Sequence, residues 1–206
     1  MSFVTGTQCE LLYAMPASGV AVTAAAITVL SGTTNANPAY QLPANFFSQV
    51  SGSGPGKSLL IKGGGFYTVG TTAVTDVITV GLNSTRGTLG TTLAKSGAWT
   101  TVISQSNVEF EFEVFVTLTV PGQGGGNNAS VNSMGHLLVG QAGDAANPTL
   151  QTVGPQWATP IMIGAAQTAK TFDPTVGQYV EVHNTWSATT GAPTATLTNF
   201  YVFGLN

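Results

Sequence analysis

Apolar and polar residues alternate almost without interruption along the thirteen positions of Val108–Val120. Every second side chain from Val108 onward is apolar and falls on one face of an extended chain, whereas Glu109, Glu111 and Glu113 fall on the other. The pattern predicts a strand with one face on a core. At about 3.3 Å per residue this strand would span roughly 43 Å, more than twice the usual length, so we expect it to cross the full height of a sandwich or barrel.

Turn-forming residues separate short runs of β-branched and aromatic residues along the rest of the chain. We predict strands near residues 9–14, 20–30, 46–50, 58–69, 74–82, 99–104, 108–120, 131–141, 159–164, 178–186 and 195–204. No segment has helical periodicity, and 206 residues suit one all-β domain. We therefore predict a single-domain antiparallel β-sandwich of jelly-roll type over residues 16–206. Residues 1–15 form either an N-terminal docking arm or the first strand.

The uncharged run Leu11–Leu30 superficially resembles a membrane span or the apolar part of a signal peptide. It contains Pro16 and Gly19, and no lysine or arginine precedes it as a signal peptide requires. We predict strand and turn in this run, and no membrane partner.

Charged residues make up 6% of the chain, against about 25% in an ordinary soluble domain. A folded monomer of 21.0 kDa exposes roughly 9,000 Å² by surface scaling, and such a weakly charged surface favours association. The composition therefore predicts that much of the surface is covered by copies of the chain or by a larger assembly. The alternative is a neutral surface rich in threonine and asparagine.

The charge balance argues against nucleic acid as a partner. The formal net charge is −3, and phosphate binding is built from clustered cations. No such cluster exists among the five bases, which are Lys57, Lys62, Arg86, Lys95 and Lys170. The single Cys9 cannot form an internal disulfide or, alone, a cysteine-based metal site.

Glu109, Glu111 and Glu113 lie on one strand face about 7 Å apart, which is within a Debye length, so something should offset their repulsion. The candidates are a lysine on a neighbouring strand, a divalent cation, or a basic patch on a partner protein. A solvated outer face that blocks unwanted strand pairing is the alternative. Hydrolysis by paired carboxylates needs two acids that face one another across a cleft, and consecutive strand positions do not supply this.

The remaining candidate chemistry is sparse. His136 and His183 sit in strand-like runs without a catalytic or metal-ligand signature, so structural roles are the better interpretation for them, as for Cys9. Seven aromatic residues could either stack on sugars or pack in a core or interface: Phe46, Phe47, Phe66, Tyr67, Trp99, Trp157 and Trp186. We predict no enzymatic activity, no cofactor and no metal site.

Three segments carry a resemblance to a known class of proteins. They are VEFEFEVFVTLTV (108–120), GHLLVGQ (135–141) and the ending QYVEVHNTWSATTGAPTATLTNFYVFGLN (178–206). Together they resemble jelly-roll virion proteins of tailed bacteriophages, particularly the trimeric decoration or cement proteins of capsid surfaces. Similar patterns occur in minor tail proteins. The resemblance covers roughly residues 20–206, and it is to an architecture and a composition, so no functional residue is carried over.

The resemblance implies a homotrimer on the capsid surface of a virion, bound to the lattice of the major capsid protein. A cement protein that binds the assembled shell and not its separated subunits stabilises the shell by mass action. The rival hypotheses are a minor tail or receptor-binding module that binds carbohydrate and, last, a hydrolase. The candidate partner-interface residues are Met1, Phe3, Val4, Leu11, Leu12, Tyr13, Glu109, Glu111 and Glu113.

Overall fold

The computed structural model describes residues 9–30, 40–47, 58–101, 103–122, 125–141, 156–157, 161–163 and 170–205. The strands are β1 (Cys9–Ala14), β2 (Thr28–Val29), β3 (Tyr40–Leu42), β4 (Ser58–Val69), β5 (Thr75–Asn83), β6 (Thr91–Lys95), β7 (Trp99–Thr100), β8 (Gln105–Val120), β9 (Ala129–Gln141), β10 (Gln156–Trp157), β11 (Ile161–Ile163), β12 (Lys170–Phe172), β13 (Gln178–Trp186) and β14 (Thr194–Leu205). None of the described residues forms a helix long and apolar enough to cross a membrane.

The strands form two antiparallel sheets. The larger sheet has the order β1-β14-β4-β8-β9-β10, and β11 and β12 also pair with β9. The smaller sheet has the order β2-β13-β5-β6, with β3 also on β13 and β7 also on β5. The predicted all-β antiparallel sandwich is therefore confirmed, while its jelly-roll connectivity stays a prediction.

One apolar core lies between the sheets, and the alternation along β8 builds its centre. The apolar residues that β8 turns inward from Val108 to Val116 are each at most 4% exposed. Full burial of one such side chain contributes about 1.5–3 kcal/mol, so the inward face of β8 helps to fix the position of the whole strand. The same core includes Ile78, Val80, Leu82, Val180 and Val182 of the smaller sheet, and Leu197, Phe200 and Val202 of β14 in the larger sheet.

The predicted strand over residues 20–30 is wrong over most of its length, because only β2 is a strand there. The chain instead crosses from one sheet to the other at this edge. The Gly19 amide donates to the Leu197 carbonyl of the larger sheet at 2.7 Å, and the Leu30 amide donates to the Val182 carbonyl of the smaller sheet at 2.7 Å. These bonds satisfy the backbone without a regular ladder.

Short strands account for the other differences. The predicted strand at 99–104 shortens to β7, and the one at 159–164 corresponds to β11. Of residues 46–50, the first two lie in a turn and the rest fall outside the described residues. The pattern did not predict β3, β6 or β12, because these short strands are stabilised by pairing with longer neighbours and not by an alternation of their own.

Three consecutive glycines let β4 pass closely between β8 and β14. A Cβ atom on Gly63 would lie 2.5 Å from Cζ of Phe112, whose ring fills this part of the core. On the other side of β4, the ladder to β14 shifts register between Leu197 and Asn199, opposite Gly64 and Gly65. Glycine is thus needed here for close packing, and it leaves the outside of the strand bare.

Candidate functional site

The larger sheet turns one face to the core and the opposite face, here called the outer face, to solvent. On β8 the outer positions Glu109, Glu111 and Phe115 are exposed and Glu113 is partly exposed, whereas the residues between them are buried. The alternation that built the core therefore also selects which side chains of β8 a partner could reach.

Five large apolar side chains form a continuous row across the outer face, one from each of five neighbouring strands. The registers pair Leu11 of β1 with Phe203 of β14, and Phe203 with Leu60 of β4. The row continues from Leu60 to Phe115 of β8, and from Phe115 to Met134 of β9. Leu11, Phe115 and Met134 are 54%, 36% and 61% exposed. With strands about 4.8 Å apart, this apolar row is roughly 19 Å long.

A row of this kind differs from ordinary surface hydrophobicity. Single exposed apolar residues are normal, and Val20 and Ile27 are examples outside the sheets of this protein. A contiguous apolar patch is instead typical of a surface that another molecule covers. The apolar row is therefore the leading candidate for a functional surface.

The next row along the strands is polar, and we call it the charged row. It pairs Tyr201 with Lys62, Lys62 with Glu113, and Glu113 with His136. Lys62 Nζ lies 2.6 Å from Glu113 Oε2, and the two side chains are 46% and 39% exposed. This ion pair is the predicted lysine on a neighbouring strand, but it offsets only one of the three glutamates.

Beyond the charged row lies a depression that we call the glycine trench. Its floor is the backbone of Gly63–Gly65, and Gly64 is paired with Glu111 on one side and Asn199 on the other. Because glycine has no side chain, the trench forms an open cavity of about 410 Å³. Its lining also includes Lys62, Phe66, Glu109, Glu113, His136 and Tyr201. The cavity thus places carboxylates, an amide and aromatic rings around bare backbone.

The structure brings four of the nine predicted interface residues together on this face, namely Leu11, Glu109, Glu111 and Glu113. Leu12 and Tyr13 instead are partly buried and pack against the core. The Tyr13 ring stacks on Tyr40, with ring centroids 5.6 Å apart. Residues 9–14 form the edge strand β1, and the other three candidates lie outside the described residues: Met1, Phe3 and Val4.

Four residues of this face were not predicted from the sequence: Leu60, Lys62, Met134 and Phe203. Met134 and Phe203 occupy outward positions of long strands, so alternation could have suggested their exposure. Their alignment with Leu11 and Phe115 depends on the register between strands that are far apart in sequence. No signal within a single segment carries that information.

Five of the seven aromatic residues considered as a sugar platform pack inside the protein. Phe47, Tyr67 and Trp186 are buried, and Phe46 and Trp99 pack against the core, which confirms the packing interpretation for these five. Phe66 is partly exposed at the glycine trench. Trp157 lies in β10, and its side chain is outside the described part of the structure.

A second, polar groove lies where the end of β5 meets the β12–β13 turn, with a volume of about 490 Å³. Its Asp173 carboxylate accepts hydrogen bonds from the Thr175 hydroxyl at 2.7 Å and the Gly126 amide at 2.8 Å, and these bonds hold its pKa below the usual value. Phe172, the aromatic residue in its lining, is buried. The groove offers polar groups without a stacking ring.

The two histidines occupy different environments. His183 is 1% exposed, and its Nε2 lies 3.5 Å from Oε2 of the equally buried Glu181. His136 is partly buried on the outer face of β9, opposite Glu113. Among the described residues, no group of three His, Cys, Asp or Glu side chains is arranged to hold a metal ion.

Comparison with known proteins assigns no family, so the interpretation rests on the residues described above. No protein-family model matches the chain, and no curated protein matches it.

Proposed function

We propose that this chain is a structural virion protein that decorates an assembled phage capsid and stabilises it. The apolar row is the observation that carries the proposal, because exposed apolar side chains aligned over five strands are stabilised when another protein covers them. The low charge of the chain and its resemblance to decoration proteins support the same assignment. A homotrimer of jelly-roll subunits is part of the proposal.

The proposed mechanism is stabilisation by mass action. A protein that binds neighbouring capsid subunits in the assembled shell, and not the free subunits, lowers the free energy of the shell relative to its parts. A rigid sandwich suits this role because its strands hold the apolar row in one plane before binding, which limits the conformational entropy lost on contact.

The test compares binding to assembled and to dissociated capsids of the phage that encodes the chain. We expect the purified protein to cosediment with intact capsids and to raise their disassembly temperature, and not to bind dissociated subunits. Met134→Glu should abolish cosedimentation, because it places a charge in the apolar row. Val20→Glu is the matched control, since Val20 is 65% exposed and lies outside the row. No cosedimentation of the unaltered protein would overturn the proposal.

The solution mass provides the test of the oligomer. Light scattering after size exclusion should give three times the chain mass of 21.0 kDa. A monomer at high concentration would contradict the trimer and weaken the argument from covered surface.

The polar groove supports a second candidate function, a receptor-binding or carbohydrate-binding module of a phage tail. Asn83, Asn127, Asp173 and Gln178 line it and could bond to sugar hydroxyl groups. A glycan array and cell-wall fragments provide the test. Saturable binding that Asn127→Ala weakens, together with no binding to capsids, would place this function first.

A further inference from the structure

The charges beside the apolar row are unbalanced. Lys62 is the one lysine or arginine in the described part of the outer face, since Lys170 of β12 is in register with the inward-facing Val131, and it is already paired with Glu113. The remaining nitrogen base on this face is His136, which is formally neutral. Glu109 and Glu111 have no ion-pair partner among the residues that the structure describes. Three carboxylates and one ammonium group leave this face with a formal charge of −2.

The two unpaired glutamates border the glycine trench, where a long side chain could enter. Glu111 lies directly across from Gly64, and Glu109 lies across from Phe66. The amide oxygen of Asn199 lies beside Gly64, 3.5 Å from the point that a Cβ atom there would occupy. The exposed ring of Tyr201 is at the next position of β14 on the same face. Carboxylates, an amide oxygen and an aromatic ring are groups that bind guanidinium or ammonium.

These charges argue against a second copy of the chain docked through the same face. A symmetric contact would place −2 against −2, and like charges across an interface are unfavourable. The size of the face is nevertheless suitable for a stable complex. Four of its five strands are 12 to 16 residues long, so at about 3.3 Å per residue and 4.8 Å between strands the face measures roughly 19 Å by 40 Å. That is roughly 760 Å², and a standard interface uses roughly 800 Å² per partner.

We propose that the apolar row and the glycine trench together dock a protein surface that presents an arginine or lysine beside apolar side chains. The apolar side chains of the partner cover the row, and its cation enters the trench between Glu109, Glu111 and Asn199. This inference rests on the proposed function, because it names the chemistry of the capsid surface that the protein binds. It further assigns the outer face to capsid binding and not to the contacts within the trimer.

The trench is tested first without any capsid. NMR amide shifts of the full chain are followed on titration with N-acetyl-arginine amide and with N-acetyl-citrulline amide, which has the same shape without the charge. The arginine compound should shift the amides of Gly63–Gly65, and the citrulline compound should not. Glu111→Gln should remove the response. Equal shifts from the two compounds, or an unchanged response in Glu111→Gln, would overturn the inference.

Capsid binding then separates this inference from the proposed function. Glu111→Gln should weaken binding to intact capsids about tenfold and reduce its salt dependence, because one charge-assisted contact is lost. Glu10→Gln is the matched control, since it removes the same charge from an exposed position on β1 outside the trench lining. If Met134→Glu abolishes binding while Glu111→Gln leaves affinity and salt dependence unchanged, the proposed function stands and the charged docking site is wrong.

Self-association is the remaining outcome. A concentration-dependent dimer of trimers that Met134→Glu abolishes would identify a second copy as the occupant of the outer face, and it would overturn the assignment to a basic partner.

Discussion

The long strand of the larger sheet, β8, and that of the smaller sheet, β13, have similar sequence patterns, but their polar side chains differ in exposure to solvent. Both alternate valine or phenylalanine with polar residues. On β8 the alternate glutamates Glu109 and Glu111 are exposed, whereas on β13 the alternate polar residues Glu181 and His183 are each 1% exposed. A polar position in a strand is therefore solvent-facing only where nothing packs over it.

The covering element on the smaller sheet includes the loop between β5 and β6. The Gly87 amide in this loop donates to Oε1 of Glu181 at 2.8 Å, and Leu89 lies against Gly81 of β5. Gly87 has a φ of 79°, in the left-handed region that favours glycine. The smaller sheet thus uses Glu181 and His183 internally, whereas the glutamates on the outer face of the larger sheet remain open to solvent.

The largest expected difference between the carboxylates of the two sheets is in how they make stability depend on pH. Asp76 in β5 is buried, which raises its pKa from 3.8 to about 7, although the Val77 amide and the Asn184 side chain donate to it. Between these values the folded protein binds more protons than the unfolded chain, so stability falls as pH rises from about 4 to about 7 and levels off above that. The expected loss from this group is up to about 4 kcal/mol.

Urea unfolding between pH 4 and pH 8 measures this effect. In Asp76→Asn the amide has almost the same shape but does not titrate, so its stability should change less with pH than that of the unaltered protein. The exposed glutamates of β8 are common to both proteins, and their contribution cancels in the difference. Parallel stability curves would show that Asp76 does not titrate as proposed.

Removal of one carboxylate from each sheet should have unequal effects. Glu181→Ala leaves the Gly87 amide and the buried His183 without their carboxylate partner, and we expect a loss of about 3 kcal/mol in the free energy of unfolding. Glu109→Ala alters an exposed side chain and should change the free energy of unfolding by less than about 0.5 kcal/mol. The two losses are compared from the midpoints of denaturant unfolding, at an unchanged dependence of the free energy on denaturant concentration. Similar losses would contradict the difference between covered and open faces.

The smallest effect is expected at the ion pair on the open face. Lys62→Met keeps the apolar part of the side chain and removes the charge that is paired with Glu113. Because both side chains are well exposed, the loss of stability should be below about 1 kcal/mol and should vanish in high salt. Thermal unfolding at low and high ionic strength measures it. A larger loss that salt does not reduce would indicate a structural role for the pair.

Alternation predicted the long elements well and the short ones poorly. The predicted boundaries of β4, β5, β13 and β14 agree with the structure within one or two residues, because each strand has enough positions for a period of two to be evident. The pattern failed at residues 20–30, where the chain forms isolated bonds to both sheets. It also missed β6, whose sequence TTLAK has too few positions to show a pattern.

The candidate site was predicted in part. The three glutamates and Leu11 were selected from single segments, and the structure places them on one face. Leu12 was selected together with Leu11, but successive side chains of a strand point to opposite faces, so Leu12 packs inward. Tyr13 would share the face of Leu11 by alternation, and it packs inward because the pairing of β1 with β14 shifts register between Leu11 and Tyr13. A shift of this kind arises from pairing with β14 and leaves no trace in the sequence of β1.

The all-β class, the long strands and the inward face of β8 follow from local alternation and from the cost of exposing apolar side chains, so they can be predicted from single segments. The burial of particular polar residues, the position of the glycine trench and the alignment of five apolar residues in one row arise from the way the strands pair and pack. Those features depend on strand register and on packing between segments up to about 190 residues apart, such as Leu11 and Phe203, and local propensity does not encode either.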